Sequence, residues 1–149
     1  MRHDPFSTVC LQHAPLRWLE ARIRTSNPDL IGASLFDEFA VALGEHLEVI
    51  DQLLLPALQP HDTLPAARQY IDAHWYLKRQ LAQLKAMDRR GEPFRKRLWA
   101  VLRQLEHQMS QEATELPYLV QESLAAERAV PSAPSMPTGM PQSAFAHAR

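Results

Sequence analysis

The 149-residue chain predicts an all-α fold, an antiparallel up-down four-helix bundle, on three observations. Only four glycines occur, and most of the twelve prolines fall between stretches rich in Leu, Ala, Glu, Gln and Arg, the composition of helices joined by short connections. Apolar residues recur at intervals of three and four through four such stretches, and no strand pattern competes. The two halves of the chain also resemble each other at a fixed offset, the signature of a repeated helical hairpin. Helices of about 20 residues with short connections pair most simply as antiparallel neighbours.

The first stretch spans about Ser7 to Thr25, with Val9, Leu16, Leu19 and Ile23 on one face, and stops at Asn27-Pro28-Asp29. Pro15 either delays the start of its regular part or bends it. A second stretch opens at Ser34-Leu35-Phe36-Asp37, a cap followed by an acid, and continues to Pro56. Its apolar residues, Phe36, Phe39, Val41, Leu43, Leu47, Val49, Ile50 and Leu53, are numerous enough to predict deep burial. Pro65 suits the first turn of a third helix bearing Ile71, Leu77, Leu81 and Leu84, which ends near Arg89-Arg90-Gly91. Pro93 opens the fourth, with Leu98, Val101, Leu102, Leu105, Met109 and Leu116. Pro117 should kink or interrupt it before a polar helical piece that runs to about Arg128. The domain is therefore expected over 6–128, and the Pro-, Ser- and Ala-rich segment 129–149 reads as a disordered tail, because it has too little apolar surface to offset ordering.

Sixteen Lys and Arg against seventeen Asp and Glu give a formal net charge of −1, which argues against nucleic acid or an anionic membrane as a partner. The single cysteine, Cys10, excludes an internal disulfide, and the N-terminus lacks a secretory pattern, so the cytoplasm is the expected location. No apolar run approaches the length of a membrane span. There is no nucleophile–base constellation and no phosphate-cradling glycine loop, so no enzymatic activity is expected.

At an offset of 61 residues His13 falls on His74 and His46 on His107. Around the second pair, Glu45-His46, Asp51, Leu55-Pro56 and Leu58 match Glu106-His107, Glu112, Leu116-Pro117 and Leu119. Around the first, Leu16-Arg17 matches Leu77-Lys78. Two hairpins related by a pseudo-two-fold axis would bring one histidine from each helix to a common level of the core, where a metal centre can be built.

Over about residues 6 to 125 this pattern resembles the hemerythrin-like (HHE cation-binding) family, which has a histidine on its first and third helices and an HxxxE motif followed by a proline on its second and fourth. The segment from His46 to Pro56, with proline ten residues after histidine, carries most of the resemblance. It implies a non-haem di-iron site for oxygen binding, oxygen or iron sensing, or iron handling.

The chain departs from that pattern where the bridging carboxylates belong. Ile50 and Gln111 follow the motif histidines by four residues, and two cations about 3.5–4 Å apart repel strongly without anionic bridges. On the fourth helix the stripe Leu98, Leu102, Leu105, Met109 and Leu116 leaves His107 almost opposite its centre. A one-residue shift turns Gln108 and Glu112 inward instead, and periodicity alone leaves both registers open. The candidate ligands are thus His13, His46 and His74, completed by His107 or Glu112, for non-haem iron as one ion rather than two, or for Zn or another divalent metal. Asp51 lies about 140° from the expected ligand direction, and Glu20, seven residues after His13, shares its face and could pair with an inward histidine.

Several residues have plainer readings. Tyr70, one turn before His74, reads as packing rather than as a hydrogen-bond donor or oxygen ligand. The cations at Arg89, Arg90, Arg95, Lys96 and Arg97 read as a solvated turn and helix start. The alternative function, from a different class, is a metal-free bundle that regulates a protein partner through its helix faces. Ile50 and Gln111 favour that alternative; the repeated histidines favour metal, with dioxygen as its accompanying ligand.

Overall fold

The computed structural model describes residues 4–27 and 31–129, and those residues are mostly helical with no strand among them. Helix α1 (Pro5–Cys10) is capped by Asp4, whose Oδ1 accepts from the Phe6 amide at 3.2 Å. Leu11 and Gln12 break the chain before α2 (His13–Thr25). Pro15 therefore falls in the first turn of α2, where its missing N–H leaves no intrahelical bond unmade: the helix starts late rather than bending.

A π turn at Ile31–Leu35 leads into helix α3 (Phe36–Val49), which continues through another at Ile50–Leu54 into α4 (Leu55–Leu58) and a 3₁₀ turn at Gln59–His61. Helix α5 (Pro65–Ala86) and helix α6 (Glu92–Ser110) follow, each with proline in its first turn. A third π turn, Gln111–Glu115, leads into α7 (Leu116–Ala129). The π turns at Ile50–Leu54 and Gln111–Glu115 have one physical cause. Pro56 and Pro117 have no N–H to offer the carbonyls four residues back, and their rings press on those carbonyls. The backbone widens just upstream, so that the Leu55 and Leu116 amides bond the Ile50 and Gln111 carbonyls, five residues back. Pro117 thus widens the fourth helix without ending it.

Phe36, Phe39, Leu43, Ile50, Leu54, Leu58, Leu77, Leu84, Leu102, Leu105 and Met109 belong to one buried cluster. The expectation of burial throughout the second stretch needs correction. Val41 and Leu53 are exposed, Val41 because it lies across the helix from Leu43 and Leu47, and Leu53 because the π turn carries Leu54 inward in its place. Phe36 meets Phe94 edge-on with ring centroids 5.1 Å apart, and the Arg89 guanidinium lies 4.8 Å from the Phe36 ring while pairing with Asp37 at 2.8 Å.

Contacts between neighbouring helices pair early residues with late ones. Gln12 meets His46 while Arg22 meets Glu38; His13 meets Glu112 while Arg24 lies over the Trp99 ring. None of the described helices is long and apolar enough to cross a membrane. The tail anticipated from residue 129 lies, beyond Ala129, outside the described residues.

Candidate metal centre

Helix α2 delivers His13 from its first turn, α3 delivers His46 from its last, and the π turn at Gln111–Glu115 delivers Glu112. The three converge. His13 Nε2 and His46 Nε2 lie 2.8 and 3.0 Å from the same oxygen, Glu112 Oε1. The other oxygen, Oε2, accepts the Tyr70 hydroxyl at 2.6 Å. Glu112, His46 and Tyr70 are each 0% exposed, and His13 is buried. Burial opposes a charge on Glu112, but the hydrogen bonds from His13, His46 and Tyr70 outweigh it and hold the carboxyl below the usual range. Burial and the Glu112 charge together push the Tyr70 phenol well above its ordinary value.

The His46 ring has a second contact that bears on metal. Its Nδ1 lies 2.8 Å from Gln12 Oε1. With its amide oxygen towards Nδ1, Gln12 accepts from that nitrogen and Nε2 meets Glu112 through a shared proton or metal ion; turned over, its NH2 donates to Nδ1 and Nε2–H donates to Glu112. One ligand atom from each of His13, His46 and Glu112 lies within 4.8 Å of the others, so the three could hold one metal ion. Two imidazoles and one carboxylate form a donor set that suits Fe(II) and Zn(II).

His107 is exposed. It stands in a shallow surface depression with Tyr76, Ala100, Arg103 and Gln104, while Gln108 and Glu112 are buried. The register in which His107 turns inward is therefore corrected in favour of the other, because the apolar stripe from Leu98 to Leu116 fixes the rotation of the helix.

His74 is buried on the same face of α5 as Tyr70, but it joins a different pair. Its Nε2 lies 2.6 Å from Asp51 Oδ1, and Lys78 Nζ holds Asp51 Oδ2 at 2.5 Å. Burial works against ionisation of Asp51, yet the hydrogen bonds from Lys78 and His74 prevail and lower its carboxyl. Burial lowers the His74 imidazole, partly offset by Asp51, and His74 Nδ1 has no hydrogen-bond partner. Asp51 acquires this contact as the second residue of a π turn. Straight-helix geometry gave no reason to connect it with His74.

Glu20 is buried, as its spacing from His13 requires, but its Oε1 finds no hydrogen-bond partner, and the same is true of both side-chain polar atoms of Gln108. Burial and the nearby Glu106 carboxylate raise the Glu20 carboxyl to about 7, against smaller opposing effects of Arg24 and Arg17. A carboxyl raised on folding contributes stability that is full below its unfolded value near 4.5 and lost as pH rises through about 7. Glu20→Gln is therefore expected to stabilise the protein at pH 8 by on the order of 2–3 kcal/mol and to change little near pH 4.5, as read from urea midpoints at both pH values.

Comparison of the chain with family models, curated proteins and solved structures yields no match.

Proposed function

We propose that the protein is a hemerythrin-like metal-binding protein whose site has been remodelled to hold one non-haem iron ion, and that it serves in oxygen or iron binding or sensing. The observation that carries this reading is the convergence of His13, His46 and Glu112 from three separate helical segments onto one buried point. Iron held there supplies one-electron redox chemistry and open coordination positions. The chain's own residues bind and orient: Gln12 fixes the His46 ring, Tyr70 fixes the Glu112 carboxylate, and the surrounding core excludes water.

The reading extends to architecture. The contacts that pair Gln12 with His46 and Arg22 with Glu38 support an antiparallel up-down four-helix bundle. Two of the π turns start at Ile50 and Gln111, 61 residues apart like the histidines, which supports a pseudo-two-fold repeat of one hairpin. The bundle domain corresponds to 6–128, and the proposed location is the cytoplasm.

The test is uptake by chelator-treated protein reconstituted anaerobically with Fe(II), with metal content and unfolding measured together. A single ion per chain is expected, with stabilisation of about 3–4 kcal/mol at free metal 100- to 1,000-fold above Kd. Neither effect should appear in His46→Ala. A second reading, the metal-free module that regulates a protein partner, is favoured by one observation: Glu112 already has three partners within the chain, from His13, His46 and Tyr70. Unchanged stability with Fe, Zn, Cu and Ni would overturn the metal-binding reading and leave this one.

A further inference from the structure

Tyr70 lies closer to the candidate centre than a packing residue needs to. Its ring is fully buried, and its hydroxyl oxygen sits 2.6 Å from Glu112 Oε2, the carboxylate oxygen that the histidines leave free. Charge balance gives this position a consequence. Two neutral imidazoles and one carboxylate contribute a single negative charge, enough to leave a divalent ion with one uncompensated unit and a trivalent ion with two. In a site whose members are all buried, the second unit is costly unless another anion joins. The Asp51 carboxylate is engaged by His74 and Lys78, whereas the Tyr70 oxygen already borders the ligand set. A phenolate is an established protein ligand for ferric iron in haem sites, so the chemistry is available to a tyrosine.

We propose that Tyr70 is an anionic ligand for the trivalent ion, so that the centre takes Fe(III) through His13, His46, Glu112 and the Tyr70 oxygen and takes divalent ions through the first three alone. This inference rests on the metal-binding reading above. On Fe(III) binding the Tyr70 O–H bond breaks, an oxygen–iron bond forms, one proton leaves to solvent, and no electron is transferred. With Zn(II) the phenol keeps its proton and its hydrogen bond to Glu112. The difference makes the site a discriminator of iron oxidation state, with the phenol as the responding element.

Chelator-treated wild-type protein is loaded with ferric nitrilotriacetate or with Zn(II), and metal content is measured beside the visible and resonance Raman spectra. The expected result is a single ferric ion per chain, a visible charge-transfer band with phenolate ring modes, and neither spectral feature with zinc. Tyr70→Phe should lose the band and the ring modes, and should lose affinity for Fe(III) by about tenfold or more beyond its loss for Zn(II), which reflects only the missing hydrogen bond to Glu112. A tyrosine that only orients Glu112 would weaken both metals alike and give no ring modes. Ferric ion bound by the wild type without phenolate modes, modes that survive in Tyr70→Phe, or binding of Zn(II) with no uptake of Fe(III) would each overturn the assignment and leave the metal-binding reading intact. Failure to bind any metal would overturn both. If Tyr70→Phe does not fold, Ga(III) loading of the wild type decides: an ultraviolet tyrosinate difference signal from one residue is expected, and its absence refutes the ligand role.

Discussion

Glu112→Ala is expected to destabilise the metal-free protein by about 3–5 kcal/mol and to abolish metal uptake. Glu112 is the common acceptor for His13, His46 and Tyr70, so its removal leaves three buried polar groups without their partner in one step. It also leaves a cavity where a fully buried side chain had been. Urea unfolding at pH 7 measures the stability loss, and equilibrium dialysis against Fe(II) or Zn(II) measures the uptake. The effect has a defined pH dependence. Because the Glu112 carboxyl is held below its ordinary value, its contribution is full above the usual carboxylate range and is lost as pH falls through the lowered value. The wild type should therefore approach the variant in acid, and a constant difference down to low pH would show that packing, not the ionic network, dominates.

Phe36→Ala should cost about as much, roughly 3–5 kcal/mol, by a different route. Phe36 is fully buried, meets Phe94 edge-on and lies under the Arg89 guanidinium, which is itself paired with Asp37. Truncation removes a large apolar surface, an aromatic contact and the seat of the cation, and leaves a cavity that the helices cannot fully close. Under native conditions metal stoichiometry should be unchanged, since no contact of the centre involves Phe36. Paired measurements on the two variants separate stability lost from the core from stability lost at the centre. A Phe36→Ala protein that remained folded without binding metal would tie the centre to the packing around Phe94 and contradict that independence.

Much of this architecture can be read from the chain. The prolines mark where helices start, and the apolar spacing identifies His13, His46 and His74 as inward-facing. The fourth helix was also legible in part, because the stripe through Leu98, Leu102, Leu105 and Met109 already set His107 against the register that turns Glu112 inward. Three features were not legible. Tyr70 looks the same in sequence whether it packs or donates, and only the position of Glu112 decides that it donates. Gln12 lies just before α2, where no periodicity predicts a contact with His46. Asp51 reaches His74 from within a π turn, and the local widening of a helix depends on ring–carbonyl crowding at a proline that patterns of polarity do not express.

The π turns at Ile50–Leu54 and Gln111–Glu115 also bear on which changes in chain length the protein can absorb. His46, Ile50, Leu54 and Leu58 all point inward at intervals of four, as do Gln108, Glu112 and Leu116, with Val120 partly buried after them. Three such intervals would drift by about 120° along a regular helix of 3.6 residues per turn, enough to carry the last residue off the core. Each π turn takes up that drift where it arises. An inserted residue normally rotates everything beyond it, but here the surplus is confined to five residues next to a proline. Each of these two helices therefore keeps its ligand-bearing part and the part beyond its proline on one core face, which an uninterrupted α-helix of the same spacing would not do.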